Sequence, residues 1–198
     1  MRTITYGGAV SLDGYLAGPN EEIDWLHYSK DVQEVMKDYW KDVDAVLMGR
    51  KTYEFGARQK GGAKKAKTAS KSRESTSPSG KAKERKPPMV RTYVFSRTLQ
   101  EIADPNAELV RENAAEFVRK LKQQAGKRIC LMGGGELAQS LLAADLVDEI
   151  GLNIHPILLG SGIPTFRELS ARVKLKLTQC RQLEGGCVLA KYDVVHAK

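Results

Sequence analysis

The sequence predicts an α/β domain around a sheet that is parallel in its middle and antiparallel toward the C-terminus. Two observations carry this. Strand patterns alternate with helix patterns from Thr3 to Leu146, and beyond Leu146 the chain reads as strands joined by loops. A third observation bounds it: 198 residues suit one domain with a full core.

The elements follow in order. "TITYGGAVSLDG" begins as a strand and ends in a loop. "SKDVQEVMKDYWKDV" reads as a helix with Ser29 as N-cap, and Val32, Val35, Met36, Tyr39 and Trp40 form one apolar face at 3, 4 spacing. "DAVLMGRKTYEF" is a short buried strand, a glycine and a second helix start. "RTYVFSR" is a strand. "ENAAEFVRKLKQQAG" is a helix that Gly126 is expected to close as the C′ residue. "KRICLMGGG" is a strand and "ELAQSLLAADL" a helix. "VDEIGLNIHPILLG" and "KLKLTQCRQLEGGCVLAKYDVV" are strands, with Glu184-Gly185-Gly186 as a hairpin turn.

Residues 57–88, "ARQKGGAKKAKTASKSRESTSPSGKAKERKPP", interrupt this pattern. Large apolar side chains are almost missing, so ordering would gain too little burial to offset its entropy. The expectation is a basic disordered insertion within a single domain spanning residues 1–198. It also locates the charge. Between Arg58 and Lys86 eleven basic residues face two acidic ones, a local +9, which leaves −1 for the rest of a chain whose total is +8. The folded body therefore has no electrostatic case for nucleic acid. The insertion reads as a solvated tether, with an arm for anionic polymers or an anchor for a partner as alternatives.

Cys130, Cys180 and Cys187 have neither metal-ligand nor redox spacing, and an odd count without a framework favours reduced thiols. No apolar run is long enough to span a membrane, and "MRTITYGGAV" lacks a signal peptide's apolar region. A cytoplasmic protein is expected.

Three strand-to-helix or strand-to-loop junctions carry the chemistry. In "ICLMGGGELAQSLL", Gly133, Gly134 and Gly135 precede a helix whose first turn holds Glu136 and Leu137. Glycines there serve either a tight turn or the close approach of an anion to exposed N–H groups. In "VLMGRKTYE", Gly49 is followed by Arg50, Lys51 and Thr52, which offer a planar fork of donors, an ammonium and a hydroxyl. In "YVFSRT", a strand ends in Ser96, Arg97 and Thr98. Singly, each has a bland reading as a cap or a solvated cation. Together they offer phosphate-binding groups at three strand ends, where open α/β sheets gather ligands. NADPH, with a pyrophosphate and one further phosphate, would use all three. On this reading the glycines exist for the ligand, with Gly134 against the pyrophosphate.

In this order, "GGAVSLDGYLAG", "VLMGRKTYE", "YVFSR", "LMGGGELAQSLL" and "DEIGLNIHPILLGSGIPTF" resemble the dihydrofolate reductase-like superfamily, and more closely its RibD C-terminal domain branch of bacterial proteins. The resemblance spans nearly the whole chain except residues 57–88. It implies a three-layer fold with a mostly parallel central sheet flanked by helices and antiparallel C-terminal strands. It implies NADPH as hydride donor. Gly133, Gly134, Gly135, Glu136 and Leu137 would surround the pyrophosphate. Gly49, Arg50, Lys51 and Thr52 would form a second phosphate-binding helix start, and Ser96 and Arg97 would hold the adenosine 2′-phosphate. Ala9 would lie by the nicotinamide, under a mobile loop with Leu12, Asp13 and Gly14 at its base.

On the substrate side, Asp31 is the nearest match to the family's helix carboxylate, with Asp24 the runner-up. Asp31 reads equally as a first-turn helix acid favoured by the dipole. Trp25, and Gly160, Ser161 and Gly162 of "LLGSGIP", could shape the pocket, or the glycines could form a plain turn. His155 reads as a satisfied core histidine, and His27 has no assigned role. The implied function is reduction of a small heterocycle, a pteridine or a ribosylaminopyrimidine, as by a 5-amino-6-(5-phosphoribosylamino)uracil reductase of riboflavin biosynthesis. The alternatives are a non-catalytic NADPH-binding module whose basic loop recruits a partner, and a dihydrofolate reductase proper. No zinc deaminase domain precedes these motifs, so a bifunctional enzyme is not expected. Apolar residues on both faces of the C-terminal strands, with the pairing of related domains, imply a homodimer.

Overall fold

The computed structural model describes residues 1–68 and 90–196. Its sheet has eight strands: β1 (Ile4–Ser11), β3 (Val43–Gly49), β4 (Arg91–Phe95), β5 (Ala107–Val110), β6 (Arg128–Met132), β7 (Glu149–His155), β9 (Lys174–Gln182) and β10 (Val188–Val195). Across the sheet the order is β5-β4-β3-β6-β1-β7-β10-β9. The first six are parallel; β10 runs antiparallel to β7, and β9 antiparallel to β10. Two short strands, β2 (Tyr15–Ala17) and β8 (Ile163–Pro164), pair separately. The helices are α1 (Lys30–Lys41), α2 (Arg50–Thr68), α3 (Ala114–Gln123) and α4 (Glu136–Ala143). This is the expected three-layer fold.

Alternation along the strands splits the core between two faces. Ile4, Tyr6, Leu47, Ile129 and Leu131 pack with Val118 and Leu121 of α3 and Leu141 of α4. On the other face, Val43, Val46 and Cys130 meet Tyr39 and Trp40 of α1, and Val32 of α1 packs with Leu183, Cys187 and Leu189. Ser29 caps α1 as its sequence suggests, accepting from the Val32 N–H at 3.4 Å. Met36 departs from the expected apolar face: it is 43% exposed.

Three further differences emerge. α3 ends at Gln123 with Gln124 as C-cap, so Gly126 lies beyond the C′ position. Its missing side chain instead makes room for the ion pair of Arg2 with Asp44, whose atoms an added Cβ would meet at 2.8 Å. The strands β2, β5 and β8 were not expected. And α2 continues through residues 57–68, inside the stretch expected to be disordered, as Ala, Lys, Arg and Gln favour. Residues 69–88 of that insertion lie outside the described residues. Among the described residues, no helix is long and apolar enough to cross a membrane. All three cysteines are free.

Candidate active site

Because β4, β3, β6, β1 and β7 are parallel neighbours, their carboxyl ends share one edge. Ser96, Gly49, Gly133, Ser11 and His155 mark it in that order. All three phosphate-type junctions therefore stand side by side. Thr52 of α2 reaches across from β3 to β6, its hydroxyl against the backbone of Gly133. Arg50 reaches the other way. It forms an i,i+4 ion pair with Glu54 at 3.0 Å and lines an open groove of about 640 Å³ with Thr98, Leu99, Gln100 and Glu101. Ser96 folds the next turn, its Oγ accepting from the N–H groups of Thr98 at 3.2 Å and Leu99 at 3.0 Å. Its hydroxyl also lies 3.5 Å from that of Thr98. Arg97 and Lys51 are exposed.

The structure shows what packs against each of the three glycines. A Cβ on Gly133 would collide with Thr52, and one on Gly134 would stand 2.7 Å from Leu16 Cδ1 and 2.8 Å from the Pro164 carbonyl oxygen. The small β2–β8 sheet is thus seated on Gly134. Gly135, with φ 87° and ψ −136°, adopts a backbone that side chains avoid and lies under Arg167, whose Nε would be 3.1 Å from an added Cβ. The missing side chains make room for the chain itself. What remains for an anion is the donor set around them. α4 has no side-chain N-cap, so its first-turn N–H groups are left for solvent or an anion. The Arg167 guanidinium stands nearby, 3.7 Å from Glu136, and the Thr52 hydroxyl flanks Gly133. A helix start, a cation and a hydroxyl match the chemistry of a bound phosphate.

The loop after β1 is fastened at its base. The Asp13 carboxylate accepts from Ser11 Oγ at 2.6 Å, Leu159 N at 3.1 Å and Gly160 N at 2.7 Å. These bonds, that from Ser11 first, hold its carboxyl below the ordinary range. Gly160 is thereby joined to the loop, and Gly162 packs against the Ala17 carbonyl. Leu12 is left 64% exposed beside them. Gly14 accepts from Thr165 N at 2.9 Å. Ala9 sits opposite Asn153 in the β1–β7 register.

A groove of about 340 Å³ opens between these segments, lined by Gly18, Pro19, Glu22, Asp24, Trp25, Ile157, Leu159 and Ser161. Trp25 and Ser161 both line it. Asp24 is exposed along it, while Glu22 is tied to Asn20. Asp31 is employed elsewhere. Its carboxylate accepts from Ser29 Oγ, from Val32 N at 2.8 Å and from Glu184 N at 2.8 Å. The Ser29 bond, then that from Glu184, holds its carboxyl low. Of the two readings of Asp31, the geometry favours the first-turn helix acid, which here also fastens the β9–β10 turn.

His155 is a core histidine, 2% exposed, with Asn153, Cys187, His27 and Trp25 around it. Sequence reasoning missed Leu16, Pro164 and Arg167 because their roles depend on a long-range seat at Gly134 and Gly135. The only local signal was "GIPTFR", a turn followed by a cation.

The family model described as RibD C-terminal domain matches residues 2–189. Among curated proteins, the uncharacterized Bacillus subtilis proteins YyaP and YwjB are 34% and 31% identical, over 97% and 88% of this chain and 95% and 88% of their own lengths. A putative riboflavin biosynthesis protein from Shewanella sp. PV-4 has a similar structure, with TM-score 0.73 and 22% identity, over 98% of this chain and 99% of its own. A deaminase/5-amino-6-(5-phosphoribosylamino)uracil reductase from Thermotoga maritima gives 0.63 and 16%, over 98% of this chain but 57% of its own.

Proposed function

Since the chain belongs to the RibD C-terminal domain family, we propose that it is a reductase that takes a nicotinamide dinucleotide, NADPH, and a small heterocyclic substrate. The observation that supports this most is the alignment of three phosphate-type junctions on adjacent strands, ending beside a groove large enough for a single heterocycle.

The cofactor, when bound, supplies a hydride. The chain's own residues do the rest. Ser96 and Arg97 would hold the adenosine 2′-phosphate, with Arg50 in the groove lined by the next residue, Thr98. Thr52, the turn from Gly133 to Leu137 and Arg167 would hold the pyrophosphate. Ala9 would border the nicotinamide, and the loop at Leu12–Gly14 would cover it and exclude water. Trp25 and Ser161 would confine the substrate, and Asp24 is the groove carboxylate free to accept from a substrate N–H. A ribosylaminopyrimidine fits this role better than a dihydrofolate, because Asp31, the helix carboxylate nearest the family's position, already serves the β9–β10 turn.

The same reading includes a homodimer. Every residue of β9 is exposed, Leu175 and Leu177 among them, and an apolar hollow of about 530 Å³ beside it is lined by Phe166, Leu169 and Val173. A second copy of this chain would cover that edge.

The test is a titration of NADPH and NADH by thermal shift, then NADPH oxidation with pteridines and ribosylaminopyrimidines. Tight NADPH binding and turnover of a pyrimidine support the reading. Absence of binding by either dinucleotide overturns it.

A further inference from the structure

His155 closes β7 at the functional edge and faces away from it, into the protein. Its Nδ1 accepts from the His27 backbone N–H at 3.3 Å, with Cys187 Sγ 3.5 Å away. Its Nε2 lies 3.1 Å from the side-chain nitrogen, Nδ2, of Asn153. A neutral imidazole has one donor and one acceptor. With Nδ1 accepting, the proton sits on Nε2, which must donate. Asn153 satisfies it only with the amide turned over so that its carbonyl oxygen faces the ring; with Nδ2 toward the ring, that oxygen is buried without a partner. The tautomer and the amide orientation are thus set together.

What Nδ1 holds is the segment that carries Trp25. The Trp25 ring meets the imidazole edge-on, centroids 5.3 Å apart at 87°, and forms one wall of the groove. The His27 ring lies against Gly185, where a side chain would collide with it. We propose that His155 is a positioning residue: its neutral imidazole holds the Trp25–His27 segment, and with it the groove wall, and protonation of the ring releases that segment. A proton on Nδ1 would oppose the His27 N–H, which loses its acceptor, and would leave only the weakly accepting Cys187 Sγ to take it.

The groups around the ring favour the neutral form. His27 faces it from the loop, the Cys187 thiol from β10 and the uncharged Asn153 from β7 itself. Asp31 of α1 acts on the Cys187 thiol, whose pKa is raised by burial first and by that charge second. No carboxylate among the described residues is within hydrogen-bond distance of the imidazole. Burial, then the neighbouring His27, lowers the His155 pKa from its ordinary 6.5.

The consequence for turnover rests on the reductase reading; the holding of the segment does not. Trp40→Phe leaves Trp25 as the single indole. In that background, Trp25 emission should shift red and lose intensity as pH falls from about 8 to 5, in one titration centred below about 6.5. His155→Asn can accept from the His27 N–H without titrating, so its emission should stay flat and neutral-like. His155→Leu should show the acid-like emission at every pH, and His27→Gln should keep the wild-type titration. The proposal is overturned by a titration that persists in His155→Asn, by one that vanishes in His27→Gln, or by none in the parent. Should His155→Leu not fold, the parent and the Asn variant still decide. With NADPH and an active substrate, KM should rise through the same midpoint more than kcat falls. Failure of nicotinamide binding would remove the reductase reading and leave the emission result standing.

Discussion

Replacing Gly134 with Ala tests what the three glycines are for. Gly134 does not have a positive φ, so an alanine there carries no backbone strain and only adds a methyl. That methyl would stand 2.7 Å from Leu16 Cδ1 and 2.8 Å from the Pro164 carbonyl oxygen. Leu16 can turn its terminal carbon aside. The Pro164 carbonyl belongs to β8 and cannot move without shifting the β2–β8 pair. Overpacking of this kind costs about 1–3 kcal/mol. For a chain of this size, that is a fall in melting temperature of about 2–12 °C. The companion Gly135→Ala costs about 1–3 kcal/mol for a different reason, strain at positive φ. A double-mutant cycle separates them. Leu16→Ala should relieve part of the Gly134→Ala loss and none of the Gly135→Ala loss, as read by calorimetric melting of all variants with and without NADPH. If Gly134→Ala melts like the parent and only NADPH binding is lost, the glycine serves the ligand and the packing argument fails.

Arg97→Ala should weaken NADPH by about 1.5–3 kcal/mol, the worth of a charge-assisted hydrogen bond, and NADH hardly at all; equal weakening in parallel titrations would remove the 2′-phosphate assignment. Asp31→Asn should lower the melting temperature while turnover persists, because the carboxylate fastens the β9–β10 turn; lost turnover at an unchanged melting temperature would restore its catalytic reading. Neutral burial of His155 makes stability depend on pH with a definite sign. Its folded pKa lies below its unfolded value of about 6.5, so its contribution is complete above that pH and is lost as pH falls below it. Melting curves of parent and His155→Asn should diverge in that window, and parallel curves would contradict the assignment. Sedimentation should give a dimer whose association Leu177→Lys on β9 abolishes, and a monomer in the parent would leave the exposed strand without that explanation.

Local chemistry was readable and long-range contact was not. A glycine followed by a helix start announces a junction wherever it occurs, so Gly49 and Gly133–Gly135 could be found by eye, and the strand order then made them neighbours. The four-residue strand "AELV" is too short to show a period. The pairing of β2 with β8 joins segments that carry no alternation at all. Asp31 could not be settled from sequence because its decisive partner, Glu184, is 153 residues away. Gly126 misled for the same reason: a glycine after a helix suggests a cap, whereas this one yields space to Arg2 and Asp44.

The Asp13 bracket has a consequence for how such a pocket changes over evolutionary time. One carboxylate ties the loop after β1 to backbone N–H groups 146 and 147 residues further along the chain. The two lips of the groove therefore share a hinge pin, and neither can be lengthened or reshaped without disturbing the other. On the proposed reductase reading, substitutions at Ser161 or Trp25 that alter substrate choice should arise in matched sets drawn from both segments. A graft of either lip alone from a relative should cost order before it alters specificity.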